Sequence, residues 1–344
     1  MEQHKRRVRY SGKYPKKFEE KYKEHNPEKY ADTIAHVIEK GSTPAGMHIS
    51  IMVNEILDVL DIKPNERGLD CTFGYGGHTT SFLEKLSGTG HVTSLDIDLE
   101  ESKKTLARLR AKGYGEDVLT LVNTNFANVD EVAKTQGKLD FMLADLGVSS
   151  RQIDNPDRGF SYKVEGPLDL RIDRSKGVSA AQRLKELDVD ELAGMLYENS
   201  DEPYSEEIAK ALVKHIKWGK PLETTTDLKN LIADTLSFLP KDEQAKTINK
   251  TCARVFQAIR IDINHEYESL YQLLSKLPDI MNPGGRIVFL TFHSGEDRLV
   301  KKMFKEYKKQ GIFTEISEDV IRPGAAECNT NPRAKSTKLR WAKM

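Results

Sequence analysis

The chain has 344 residues, with 53 Lys and Arg against 53 Asp and Glu, 38% hydrophobic and 31% charged, the composition of a soluble globular protein of about two domains, or one with an insertion. No apolar run approaches the ~18–20 residues of a membrane span, and no apolar segment follows the basic start, so no secretory signal is expected there. Three widely spaced cysteines (Cys71, Cys252, Cys328) argue against a disulfide framework or a cysteine zinc site, so a reducing, cytoplasmic setting is expected.

The zero net charge is unevenly spread. Residues 1–24 carry a net +5 and residues 301–344 a net +6, which leaves −11 for the middle. Basic ends around an acidic middle suggest a polyanion held by the ends, although solvated tails would look the same. Residues 1–46 read as an arm, in which Tyr10, Tyr14, Phe18, Tyr22 and Tyr30 are interleaved with Lys and Arg. That mixture suits base stacking beside phosphate contacts, or a clasp across the body.

From Ile51 the pattern is helical, with Val53, Ile56, Leu57 and Leu60 on one face. A buried strand is predicted over 67–73, followed by the glycine loop Gly74-Tyr75-Gly76-Gly77-His78 and a helix with Phe82, Leu83 and Leu86 inward. Further strands are predicted over 91–98, 118–126 and 139–147, with a helix over 99–112. Alternating strands and helices predict a parallel α/β sheet. The alternation stops after 147. Residues 147–173 are rich in loop formers, and 179–250 read as helices only, so an insertion is placed at about 175–250. The α/β pattern resumes with a helix over 254–274, a strand over 284–292 and a helix over 296–309. Two last strands (313–317 and 335–343) are close enough to pair antiparallel.

Four segments carry chemistry. In Asp70-Cys-Thr-Phe-Gly-Tyr-Gly-Gly-His78 the glycines let backbone approach a ligand at a helix start, though a plain tight turn would use them too. The spacing is neither G-x-G-x-x-G nor a P-loop. Asp96 stands at the end of the second strand, nineteen residues beyond Gly77, where an acid accepts ribose hydroxyls. Asp98 is assigned instead to capping the next helix. Together these predict a nucleoside-bearing cofactor, with NAD and S-adenosylmethionine undivided. Asp145 closes the fourth strand at its carboxyl end, where α/β sheets bind ligands, or else caps a loop. His293 and Ser294 close the strand ending at Phe292 and should face the same cleft, without a Ser-His-Asp order.

With these segments in place the chain resembles the RsmH (MraW) family of methyltransferases, from about Met47 to Trp341. The resemblance rests on HISIMVNEIL, DCTFGYGGHT, ADLGVSSRQIDNPDRGFSY, GPLDLRID, FQAIRIDIN, LTFHSGEDR and NPRAKSTKLR, all in family order. It implies a class I S-adenosylmethionine-dependent methyltransferase: a Rossmann-like, mostly parallel sheet with an inserted all-helical domain. The arm is then 1–46, the methyltransferase domain 47–174 and 251–344, and the insertion 175–250. It implies S-adenosyl-L-methionine as cofactor and no metal. Gly76, Gly77 and His78 would hold its methionine part, Asp96 its ribose and Phe126 its adenine, with Asp145 and Gln152 completing the pocket. The implied reaction is N4-methylation of a decoding-centre cytosine of 16S rRNA in the small ribosomal subunit. A homodimer is compatible with the resemblance, and no membrane partner is implied.

The exocyclic amine of cytosine is a weak nucleophile because its lone pair is delocalised, so a hydrogen-bond acceptor is needed to aim it. Asp145 is the candidate catalytic residue, and Ser149, Ser150, His293, Ser294 and Arg298 are candidate substrate contacts. The chain departs from the family at Arg151 (usually Pro), Gly295 (usually Leu) and Lys250–Arg254, and its arm is longer than the common family start, which suggests a divergent branch. Competing readings are a methyltransferase of the same fold acting on another RNA, an NAD-dependent oxidoreductase, and a ribosome-assembly factor without activity.

Overall fold

The computed structural model describes residues 50–220 and 222–344, and only the backbone of Ser150 and Arg151. The predicted arm, with its charged first 24 residues, lies outside the described residues. The rest is built on one seven-stranded sheet: β1 (Arg67–Asp70), β2 (His91–Asp96), β3 (Leu119–Asn123), β4 (Leu139–Asp145), β5 (Met281–Thr291), β6 (Glu315–Ile316) and β7 (Lys338–Lys343). The spatial order is β3-β2-β1-β4-β5-β7-β6. The first five strands are parallel, and β7 runs antiparallel to both β5 and β6. This is the expected class I methyltransferase sheet.

The strand sequences explain why the sheet is covered on both faces. In β4, Phe141 and Leu143 enter one apolar cluster while Met142 and Ala144 enter another. In β5, Val288 and Leu290 alternate in the same way with Ile287 and Phe289. Near-continuous apolar strands of this kind belong to parallel sheets sandwiched between helices. One face carries the helices Val53–Leu60 and Gly77–Leu86 through Ile56, Leu60, Phe82 and Leu83. The other carries Glu266–Ile280 and Ser294–Lys309 through Leu273, Leu277, Val300 and Phe304.

Ion pairs lock the β5–β7 pair at both ends, a half-buried one at Arg286 and a buried one at Arg340. Arg286 donates to both oxygens of Glu66 (2.8 and 2.6 Å) and to the carbonyls of Leu60 and Asp140. Arg340 and Lys338 of β7 donate to Asp297 at 2.6 and 2.8 Å. Burial would raise the pKa of Asp297, but these bonds outweigh it and hold the carboxyl below its usual range. Part of the positive charge counted over 301–344 is therefore neutralised internally, Arg333 also being tied to Asp154 at 2.7 Å.

Between β4 and β5 the chain is helical: Ser150–Asp154, Ala180–Glu186, Val189–Ser200, Ser205–Lys217, Thr225–Thr235 and Lys241–Asn264. These helices share their own apolar cluster, which includes Leu184, Leu196, Leu212, Ile232, Val255 and Ile259. The expected boundary at 250 falls inside the 24-residue helix Lys241–Asn264, and the cluster runs on to Ile259. The helix predicted over 254–274 is two. His265 adopts a left-handed conformation (φ 50°), and Arg260 bridges the break by donating to both oxygens of Glu266 at 2.8 and 2.9 Å. Among the described residues, no helix is long and apolar enough to cross a membrane, and the three cysteines are free thiols.

Candidate functional site

The site forms at the carboxyl ends of β1, β2 and β4. After β1, Thr72 joins two strands: its hydroxyl donates to Asp70 Oδ1 (3.4 Å) and accepts the backbone N–H of Asp145 (2.9 Å). Thr79 Oγ1 donates to the other oxygen of Asp70 at 2.7 Å and lies 2.9 Å from Ser94 Oγ on β2. This buried ladder of Asp70, Thr72, Thr79 and Ser94 sets the spacing of the three strand ends. Burial pushes the Asp70 carboxyl up, against the opposing influence of His78 and the Thr79 bond. The sequence motifs gave these residues no role; their signal is scattered, with Asp70 and Ser94 polar positions in apolar strands, Thr72 in the loop after β1 and Thr79 in the first turn of the next helix.

The glycine loop is held from two sides. Thr105 Oγ1 donates to the Gly74 carbonyl at 2.9 Å, and Arg108 donates to the Tyr75 carbonyl. Gly76 is the N-cap of the helix Gly77–Leu86 and has φ 67°, a conformation that favours glycine. A Cβ there would meet Thr105, Leu109 and Phe73 at 3.0–3.3 Å, and one on Gly77 would lie 2.0 Å from Ser50 Oγ. At Gly76 the left-handed backbone and the close side chains together favour glycine, while at Gly77 a side chain would have to push Ser50 aside.

Asp96 ends β2 and organises the loop opposite. Its two oxygens accept the N–H groups of Gly74 (2.9 Å) and Asp98 (2.8 Å), and Asn123 donates to its carbonyl. Burial pushes the Asp96 carboxyl up to about 6, opposed by these two N–H bonds and assisted by the charges of Asp98 and Asp70. Asp98 caps the next helix, Leu99–Ala111, by accepting the Glu101 N–H at 3.3 Å. Its other oxygen accepts from Arg158 at 2.6 Å and from Gln152 at 3.5 Å. Phe126 follows the register partner of Asp96 by three residues, half-buried at the end of β3.

After β4, Ser149 and Gln152 cap the short helix reciprocally: Gln152 Oε1 accepts the Ser149 N–H at 2.8 Å, and Ser149 Oγ accepts the Gln152 N–H at 3.2 Å. Gln152 thus reaches the Asp96 side of the site through Asp98. At the end of β5, His293 caps the helix Ser294–Lys309 in a box with Glu296, whose Oε2 accepts the Phe292 N–H at 2.8 Å. Ser294 donates to Asp201 at 3.1 Å, and Arg298 donates to both oxygens of Asp201. These two therefore tie the sheet to the inserted helices. Glu266, His293 and Glu296 bring three metal-capable atoms together, but Glu266 is held by Arg260 and Glu296 by backbone N–H groups.

Among the described residues, several buried polar atoms have no hydrogen-bond partner; Glu202 Oε2, His293 Nε2 and Thr337 Oγ1 stand singly, and a cluster of them lies at the strand ends. His78 is 6% exposed, and neither of its ring nitrogens is hydrogen-bonded; Oδ1 of Asp145 is likewise unpaired. His78 Nε2 lies 3.6 Å from Asp145 Oδ2. Unpaired buried polar groups are costly and point to a ligand that completes them. With the N–H groups at a helix start and the acid of Asp96 opposite, the cleft is built for a polar ligand bearing hydroxyls at one end.

The chain is 62% identical over 340 residues to "Ribosomal RNA small subunit methyltransferase H 1" of Agathobacter rectalis, covering 99% of this chain and 97% of that one. It is 61% identical to the protein of the same name from Lachnoclostridium phytofermentans (98% and 93% covered). It is 55% identical to "Ribosomal RNA small subunit methyltransferase H 2" of Alkaliphilus metalliredigens (99% and 98%). The basic N-terminal segment lies within these aligned lengths. The sequence profile of the MraW methylase family matches residues 45–344, a span that takes in the glycine loop, the two acids and the strand ends described above, and the chain belongs to that family.

Proposed function

We propose that this chain transfers a methyl group from S-adenosyl-L-methionine to N4 of a decoding-centre cytosine of 16S rRNA, working in the cytoplasm on the small ribosomal subunit. The observation that carries the reading is the set of unpaired polar atoms on His78, at the end of the glycine loop, and on Asp145, at the end of β4. The names of the similar proteins support the substrate class.

The cofactor supplies an already activated sulfonium methyl, so the protein's work is binding and aiming. Backbone at Gly76 and Gly77 and the start of the helix receive the methionine carboxylate, and His78 completes that end. Asp96 accepts the ribose hydroxyls, Phe126 flanks the adenine, and Gln152 steadies the acid loop through Asp98. Asp145 accepts N4–H of the target base, which restores lone-pair character to the nitrogen. Orientation of this kind can contribute several kcal/mol. A base in the rRNA must be splayed out to enter. Ser149 and His293 would border it from the ends of β4 and β5, with Ser150 kept as a further candidate contact, while Ser294 and Arg298 act through Asp201 to keep the inserted helices beside the site.

The test combines purified protein, labelled S-adenosylmethionine and small subunits from cells lacking the gene, with the product mapped by nuclease digestion and mass spectrometry. A single methyl on N4 of a decoding-centre cytosine is expected. Transfer to another position would overturn the target, and no transfer at all would overturn the activity.

A further inference from the structure

The inserted helices carry a net negative charge, with eleven basic and fourteen acidic residues over 175–250. Yet residues 208–222 contain four lysines, one histidine and no acid. Residues 208–217 make up most of the helix Ser205–Lys217, and Trp218 and Gly219 turn the chain beyond it. Ile208, Ala209, Leu212 and Val213 bury the apolar face. Trp218, the C-cap residue, is left outside and is 67% exposed. The ammonium of Lys214 sits 4.6 Å from the centre of its ring. Lys217 and Lys220 are exposed alongside, and no carboxylate pairs with Lys214, Lys217 or Lys220 among the described residues.

Lysines at a helix C-terminus complement its dipole. That accounts for the charge and does not account for an indole held in water. Lys214 covers one face of the ring, and the exposure leaves the rest open. An open aromatic face among unpaired cations is the chemistry that binds single-stranded nucleic acid, the ring stacking on a base and the cations meeting phosphates. The patch is also joined to the site. The chain just beyond it pairs with the 166–168 segment, Leu168 donating to the Glu223 carbonyl at 2.8 Å and Thr225 to that of Gly166 at 2.9 Å. That segment leads back to Arg158, which donates to Asp98 beside Asp96.

We infer that Trp218, with Lys214, Lys217 and Lys220, is a contact for an unpaired rRNA base and its flanking phosphates, on the inserted helices rather than on the basic ends of the chain. The inference rests on the rRNA reading above. Its test uses the full-length protein and unmethylated small subunits, with binding measured across salt concentrations. Trp218→Ala should weaken binding about 10- to 100-fold, while Trp218→Phe stays within a few-fold of wild type. Lys217→Glu with Lys220→Glu should lower the salt slope by about two. Melting temperature and S-adenosylmethionine affinity should not change in any variant. A single-stranded 16S fragment should quench the fluorescence of Trp218, read against Trp218→Phe as blank. Wild-type binding by Trp218→Ala overturns the inference and leaves the rRNA reading standing. Loss of subunit binding without quenching by RNA would assign the patch to a ribosomal protein and overturn it too. Failure of the wild-type protein to bind subunits would overturn the rRNA reading, and the inference with it.

Discussion

His78 and Asp145 meet across the cleft, the imidazole Nε2 of one 3.6 Å from the carboxylate Oδ2 of the other. Each is left with an unsatisfied polar atom, and the backbone of Asp145 is fixed from behind by the Thr72 hydroxyl. The carboxylate is therefore positioned before any substrate arrives. Asp145→Ala should lower the rate of methyl transfer by about 100-fold or more and change cofactor affinity by only a few-fold. Single-turnover rates and calorimetry on the same variant separate the two effects. A cofactor affinity that falls by the same factor, with the rate retained, would confine Asp145 to cofactor binding.

The Asp96 carboxyl titrates at about 6 in the folded chain and near 3.9 when unfolded. Only its ionised form accepts from two hydroxyls, so cofactor affinity should rise with pH up to about 6 and then level off. At pH 5 it should be about tenfold weaker than at pH 7. For the unliganded protein the sign is opposite: the folded state keeps the proton longer, so this group's contribution to stability falls as pH rises from about 4 to 6. Asp96→Asn should flatten both profiles while weakening binding at every pH. Calorimetric titration from pH 5 to 8 checks this.

Asp297 holds β7 to the helix Ser294–Lys309 through Arg340, which is itself buried. Asp297→Ala leaves that guanidinium uncompensated and should cost about 3–5 kcal/mol, measured by urea denaturation at pH 7. The depressed pKa of Asp297 makes its contribution complete above the unfolded carboxyl value and lost as the pH falls below it. The gap between wild type and variant should therefore narrow in acid.

Gly295 stands where the resembling family usually has Leu, and a Cβ there would lie 1.7 Å from the Tyr267 hydroxyl. That hydroxyl donates to the Asn199 carbonyl on the inserted helices at 3.2 Å. Gly295→Leu should destabilise the protein by about 1–3 kcal/mol through overpacking. Adding Tyr267→Ala should recover part of the loss, a coupling that a double-mutant cycle in thermal melts would read. Strictly additive losses would show that the two positions are independent.

The class of fold was legible in the chain because parallel strands buried on both faces must be apolar almost throughout, and the helices between them must keep one apolar stripe. That periodicity survives in any single sequence. The capping role of Asp98 was legible for the same reason: it is a local interaction over three residues, and the structure places its oxygen on the Glu101 N–H. The loop glycines were visible as glycines, but the need for them was not. The side chains that would clash at Gly76 come from Thr105 and Leu109, about thirty residues away.

What the sequence determined by itself was thus the local and periodic part: strand and helix order, the antiparallel final pair, and the polar residues at strand ends. Element limits shifted where long-range contacts took over. The helix expected over 254–274 breaks at His265, where Arg260 and Glu266 close across the turn. Only the tertiary structure decided which polar groups are spent and which are left over. Ser294 and Arg298 look like site residues along the chain, yet Asp201, almost a hundred residues away, engages both. His78 and Asp145, 67 residues apart in the chain, look no different from those two, yet both ring nitrogens of the one and Oδ1 of the other have no hydrogen-bond partner. Hydrogen-bond satisfaction is a property of packed neighbours, which a linear pattern does not contain, and at the strand ends it is what distinguishes Ser294 and Arg298, spent on Asp201, from His78 and Asp145.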